Sequence, residues 1–236
     1  MAGETRIDPE HFVEFLPCLA DDILNGLATC MGKGWEKWVR KEPSHKFKPS
    51  EYAEVERAIN YVVTALQMGL LLAKHQPELG DVSLSVLKSR GVSIGEIDEM
   101  WQGIIEEYHS FLEFTGNEHG KSGRISPNHF GDFLPYFAID WLRETMSKHM
   151  DKEWQNGWKK RENPFILNPK EKAKIATVGN YATFAILIGL LVVRKQPELL
   201  GVDWSRGAPL DELWDRMLFE YRDFLYYKHF VEPRYL

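Results

Sequence analysis

The sequence predicts an all-α fold: an internally duplicated helical bundle whose two similar repeats pack with pseudo-twofold symmetry. Three observations predict it. Apolar residues recur at helical spacing, as in Ile97, Trp101, Ile104, Tyr108, Phe111 and Leu112, and no segment alternates with period two. Three blocks of the first half return, in the same order, in the second. Each half opens on a helix-start signal, a capping residue followed by Pro, at Asp8-Pro9 and Ser126-Pro127.

The recurrence is specific. His11-Phe12-x-x-Phe15-Leu16-Pro17 returns as His129-Phe130-x-x-Phe133-Leu134-Pro135, and 8 of 14 positions are identical between 11–24 and 129–142. The stretch 60–79 matches 180–199 at 10 of 20 positions, and 97–112 matches 210–225 at 7 of 16. The offsets are 118, 120 and 113, so the loop before the third block is longer in the first copy. This organisation reads as repeat 1 over 1–114, a linker over 115–125 and repeat 2 over 126–236. The linker is short and holds Gly, Asn and Ser, so the repeats are expected to pack closely, as a single-chain counterpart of a twofold dimer.

Within each repeat, Pro17 and Pro135 are expected to kink the first helix or to begin a second one. A Trp-rich segment follows at 33–42 and at 152–162. A long helix is predicted over about 50–75 and 169–195, stopped in both copies by Gln-Pro-Glu-Leu. The final helix starts near Ser93-x-x-Glu96, a capping box, and near Pro209 in copy two. Ala65-x-x-x-Gly69 and Ala185-x-x-x-Gly189 put two small residues on one face of each long helix. Gly costs roughly 1 kcal/mol against Ala in a helix. Two readings offset that cost: close approach of the equivalent helix, or room for a bulky Trp of the same copy.

Composition narrows the options. The 236 residues are 44% hydrophobic, 13% aromatic and 27% charged, with eight Trp. Cys18 and Cys30 form neither a metal pattern nor a disulfide framework and fit a reducing, cytoplasmic setting. Residues 1–10 lack the apolar segment of a secretory leader. The most apolar run, 181–193, is shorter than the ~20 residues of a membrane span and reads as a core helix, so no membrane partner is expected. The net charge of −6 conceals an asymmetry: residues 1–120 hold 11 Lys+Arg and 20 Asp+Glu, residues 121–236 hold 18 and 15. Opposite polarity of the halves would hold them together or orient a partner.

Several constellations were weighed for chemistry. Glu106-x-x-His109 matches half of a carboxylate-bridged di-metal site, but Phe219 and Arg222 stand at the matched positions; no metal or cofactor is expected. His11 and His129 occupy equivalent first turns and would either share a ligand at the axis or bond a nearby group. Asp22 and Asp140 recur and would form an acid pair across the axis or serve on the surface. The most suggestive pattern joins aromatic and basic residues: Trp35, Trp38, Arg40 and Lys41 in one copy, Trp154, Trp158, Lys160 and Arg161 in the other. From 33 to 48 there are six basic and two acidic residues. Such segments suit stacking on bases and pairing with phosphates, or they bury the indoles and leave the cations to solvate a helix end. Arg90 and Arg206 recur in Ser-Arg-Gly loops before the last helix and would bind an anion or fasten the loop.

No catalytic motif is present. The sequence therefore favours a non-enzymatic helical interaction protein, adaptor or regulatory, with a protein partner anchored by Trp, Tyr and Arg. One alternative is a binder of an anionic ligand or nucleic acid through the paired Trp/basic segments, although a pI near 5.8 argues against broad DNA affinity. The other is an enzyme or sensor with an apolar pocket between the long helices.

Overall fold

The computed structural model describes residues 6–42, 44–82, 94–117, 123–161, 166–205 and 209–228, and these form a helical bundle with no strand among them. In chain order the helices are α1 (Pro9–Thr29), α2 (Lys33–Val39), α3 (Pro49–His75), α4 (Ile94–Thr115), α5 (Pro127–Asp140), a π-helical turn (Trp141–Met146), α6 (Lys152–Lys160), α7 (Pro169–Lys195) and α8 (Leu210–Tyr226). Arg90, Arg206, Ser93 of the expected capping box and the tail beyond Lys228 lie outside the described residues.

Local chemistry sets the helix ends. Asp8 Oδ1 accepts the Glu10 amide at 2.8 Å and Pro9 follows at the first helical position. Asn168 and Glu171 form a reciprocal capping box, with bonds of 2.9 and 3.1 Å between side chain and backbone. At the start of α3 only half of that box exists: Glu51 accepts the Lys48 amide at 2.8 Å, and a Lys side chain has no acceptor to return. Both long helices end at Gln76 and Gln196, before Pro.

The first helix continues through its proline in both halves, so no second helix begins at Pro17 or Pro135. Pro17 is exposed, which lets water satisfy the carbonyl that loses its donor. The two helices then differ. α1 stays α-helical to Thr29, whereas α5 widens into the π-helical turn. Gly26 of α1 accommodates the Tyr61 ring, which a Cβ there would meet at 2.1 Å. The aligned residue in the second half is Glu144, which carries the Cβ that Gly26 lacks.

α3 and α7 form the centre and are each about 40 Å long at 1.5 Å per residue. They cross at their glycines. A methyl group added to Gly69 would sit 2.0 Å from the Ile186 carbonyl oxygen and 2.9 Å from Gly189 Cα; one added to Gly189 would sit 2.2 Å from the Leu66 oxygen. The glycines thus serve backbone-to-backbone approach between the two long helices rather than room for a Trp. α1 lies across both long helices, α2 packs on α3, and α6 packs on α7.

The terminal helices interleave the halves. α8 packs on α1, and α4 packs on α5. Tyr221 of α8 is fully buried; its hydroxyl accepts the Asp8 amide at 3.0 Å and meets His11 Nδ1 at 3.2 Å. Tyr108 of α4 does the same for Ser126 and His129, at 3.1 and 3.0 Å. Gln76 clasps the backbone of Ile7 through both amide atoms, at 2.6 and 2.8 Å. Gln196 clasps Ile125, at 2.6 and 3.1 Å. The adjacent carboxylates, Glu78 and Glu198, bind Arg6 and Arg124. Gln-Pro-Glu-Leu is therefore more than a helix stop: Leu79 and Leu199 are buried, and the Gln fixes the extended entry to the first helix of its own half.

Two predictions follow from this packing. Gly69→Leu and Gly189→Leu should each cost at least ~1–3 kcal/mol through overpacking. That would lower Tm by about 2–4 °C per kcal/mol in a chain of this size, measurable by circular dichroism. Gly103→Ala, where a Cβ meets nothing within 4 Å, should instead be neutral or stabilising. The second concerns acid. Hydrogen bonds from Gln196 and Arg124 hold the Glu198 carboxyl at about 2, below its ordinary 4.5. A depressed folded-state pKa contributes stability above the unfolded value and loses it as pH falls through the folded one. Thermal melts should therefore weaken between pH 4.5 and 2, and Glu198→Gln should flatten that part of the profile.

Candidate site in a cleft along α3

The two Trp/basic segments form α2 and α6, and the structure places their indoles inward. Trp35, Trp38, Trp154 and Trp158 are 3%, 8%, 0% and 4% exposed. Each pair of rings lies with centroids 5.5 Å apart. Rings so covered offer no face to a nucleic-acid base, which corrects the stacking expectation for all four. Hydrophobic burial of large rings outweighs their availability for binding.

The cations divide by role. Lys160 bonds Glu171 at 2.7 Å, as Lys37 bonds Glu51 at 2.6 Å, and these contacts hold both carboxyls below their ordinary range. Arg161 lies 4.3 Å over the Trp158 ring and donates to the Trp158 carbonyl at 2.9 Å and to Asn25 at 2.5 Å. Arg40 is exposed and stays with Glu36 and Glu42 on its own segment. Lys41 reaches Glu144 of the second half at 3.1 Å.

Two residues of this set, Trp38 and Lys41, line a cleft of about 990 Å³. The cleft runs along the face of α3 that carries Tyr52, Val55, Ile59, Val63 and Gln67, against Pro135 of α5 and Arg143 of the π-helical turn. It flanks α3 rather than separating the two long helices, whose contact is closed by Gly69 and Gly189. Its floor is apolar: Val55 and Val63 are 6% and 8% exposed. Phe47 and Tyr52, with rings 5.2 Å apart, stand at one end. At the other, Gln67 donates to the Trp204 and Ser205 carbonyls, both at 3.3 Å.

Arg143 is the residue the sequence reading missed. Its guanidinium lies 4.6 Å over the Trp38 ring, and its Nε is buried without a hydrogen-bond partner. A buried donor left unbonded costs about 1–3 kcal/mol, and the rest of the guanidinium lines the cleft. Lys41 is held in the left-handed region, φ 56°, the one non-Gly residue with positive φ among those described. It ends α2 with the Lys41 amide on the Trp38 carbonyl at 2.9 Å and the Glu42 amide on the Lys37 carbonyl at 3.0 Å. Gly is the usual residue there; an L-side chain costs roughly 1–2 kcal/mol. Local strain of this kind concentrates at functional sites.

The remaining candidates separate. His11 and His129 each bond a different Tyr and share nothing. Asp22 pairs with Arg216 at 2.6 Å, while the Asp140 carboxyl is pushed up by burial and by Glu144. Burial and then Asp140 raise Glu107 in turn. Glu106 is exposed, and no cluster of three or more His, Cys, Asp or Glu suited to a metal occurs among the described residues. Cross-half ion pairs follow the charge asymmetry: Arg194–Asp81, Lys195–Asp98, Arg216–Asp22 and Lys228–Glu14 all run from a second-half cation to a first-half anion. No protein-family model, curated protein or solved structure matches the chain.

The indoles predict their own mutational signature. Trp158→Ala should cost about 3–5 kcal/mol as a core deletion, whereas Lys159→Gln on the exposed face should stay within about 0.5 kcal/mol. Urea melts of the two variants check this.

Proposed function

We propose that this is a non-catalytic binding protein that holds a small amphipathic anion in the α3 cleft. The observation that carries the reading is the Arg143 guanidinium, which lines a cleft with an apolar floor and forms no ion pair among the described residues. The volume falls in the range of small-ligand sites, which are apolar clefts with a few placed polar groups. The strained Lys41 at the same cleft supports it.

We further propose that the chain is an internal duplication, with repeats 1–114 and 126–236 related by a pseudo-twofold axis through the Gly69–Gly189 crossing. The paired contacts support this: Gln76 with Gln196, Tyr221 with Tyr108, Lys37 with Lys160. On this reading the cleft lies on one side of the axis, between α3 of the first repeat and α5 of the second, and the matched surface of α7 is occupied by α1.

The second reading, a helical adaptor with a protein partner, draws on Phe219 and Tyr226. They are 57% and 62% exposed and two turns apart on α8. A concentration-dependent mass, lost in Phe219→Ser/Tyr226→Ser, would favour it.

The cleft is tested with 1-anilinonaphthalene-8-sulfonate, an aromatic monoanion. Folded protein at neutral pH should give saturable, single-site fluorescence enhancement, lost in Asn60→Trp, which places an indole in the open cleft. Absence of saturable enhancement, or equal binding by Asn60→Trp at unchanged Tm, would overturn the reading.

A further inference from the structure

We infer that the ligand of this cleft is a straight-chain monocarboxylate, its carboxylate on Arg143 and its chain along Val55, Ile59 and Val63; the inference rests on the binding reading above. Charge decides the head group. Arg143 forms no ion pair or side-chain hydrogen bond among the described residues, although Asp140 one turn earlier feels its charge. Lys41 is already matched by Glu144, and Glu42 by Arg40 at 3.6 Å. Arg143 and the exposed Glu56 are then the charged lining residues without an ion pair among the described residues, so the cleft offers one cation to one negative charge at most. A phosphate monoester near neutral pH carries up to two charges, and the exposed Glu56 on the rim would repel the second. The two Nη–H groups at the open end of the guanidinium form a planar fork that takes both oxygens of a carboxylate.

Shape decides the body. Val55, Ile59 and Val63 follow one another at i, i+4 and i+8, an unbroken apolar strip rising about 12 Å along α3. Trp38 and Phe47 flank its start, and the polar Gln67 marks its end. The strip itself carries no donor, with Asn60 and Thr64 lining the cleft beside it, so an extended alkyl chain is placed along Val55, Ile59 and Val63.

The matched surface of α7 shows what a closed version looks like. The residue aligned with Arg143 is Asn25, and it accepts a hydrogen bond from Arg161, whose guanidinium is satisfied. The residue aligned with Ile59 is Gly179, against which Leu24 packs, 3.7 Å from where a Cβ would stand. The additional cation and the opened floor thus occur together, on α3.

The test uses the full chain, with intrinsic Trp fluorescence or calorimetry and alkyl ligands kept below micelle formation. Hexanoate, octanoate and decanoate should tighten roughly tenfold per two methylenes and then level off. Decanol should bind at least about tenfold more weakly than decanoate, and Arg143→Gln should erase that difference while keeping the decanol affinity. Equal binding of decanol and decanoate by the unmodified protein would overturn the head-group assignment, with the cleft itself still binding. Decyl phosphate binding more tightly than decanoate would overturn the monoanion. No dependence on chain length would overturn the extended chain. If neither the alkyl series nor anilinonaphthalene sulfonate binds, the cleft reading falls and this inference with it. The decanol comparison needs no variant, so a poorly folding Arg143→Gln would not protect the proposal.

Discussion

The crossing of α3 and α7 at Gly69 and Gly189 is the constraint on which the remaining structure depends. Two backbones approach so closely that neither helix could carry a β-carbon at that point. Each glycine costs roughly 1 kcal/mol of helix propensity, and the contact it permits aligns two helices of about 40 Å. Around it, Ala65, Leu66, Ala185 and Ile186 are all at most 1% exposed. Every other helix then finds its place relative to this pair: α2 and α6 on the outer sides of their own long helix, α1 across both, and α4 and α8 at the ends.

Because the centre is shared, each half needs the other to finish its core. Tyr221 seals the start of α1 and Tyr108 seals the start of α5, in each case with a hydroxyl that receives a backbone amide. Beside them the Ile7 and Ile125 amides bond Gln76 and Gln196 in buried contacts, so breaking one leaves an unsatisfied amide. The exposed ion pairs between the halves act differently. Screened surface pairs contribute at most about 1 kcal/mol each, but the direction four of them share, second-half cation to first-half anion, favours one mutual arrangement, with Lys41–Glu144 running the other way. Packing and buried amides therefore supply the stability, and charge supplies orientation.

The sequence made the helices legible because their signals are local. The long helices begin at Pro49 and Pro169 and stop before Gln-Pro, within a residue or so of expectation. The Ala-x-x-x-Gly pairs marked the crossing, though either of two partners fitted them. Other features were not legible because they depend on tertiary contacts. The four indoles could have faced outward by spacing alone; only packing of α2 and α6 on the long helices decides that they do not. A repeated Arg-Ile before the opening Pro, at Arg6-Ile7 and Arg124-Ile125, was a visible signal for the Gln and Glu contacts and went unread. Arg143 carried no signal in its own sequence neighbourhood. It becomes distinctive only beside Asn25, the residue aligned with it, once the rings they approach are known.

That comparison also explains why the cleft lies where it does. Where α7 has Gly179, α1 closes down with Leu24 against it. Where α3 has Ile59, that side chain lines the cleft. The π-helical turn that begins at Trp141 then carries Arg143 to the Trp38 ring, while Leu142 stays fully buried. π-helical turns are uncommon and frequently accompany functional sites. Here the turn replaces a satisfied Asn–Arg contact with a cation that has no acceptor, at the edge of an apolar floor. A bundle selected for stability alone would have filled this space and bonded this donor. Leaving both undone costs stability, and an anionic ligand seated in the cleft would recover it.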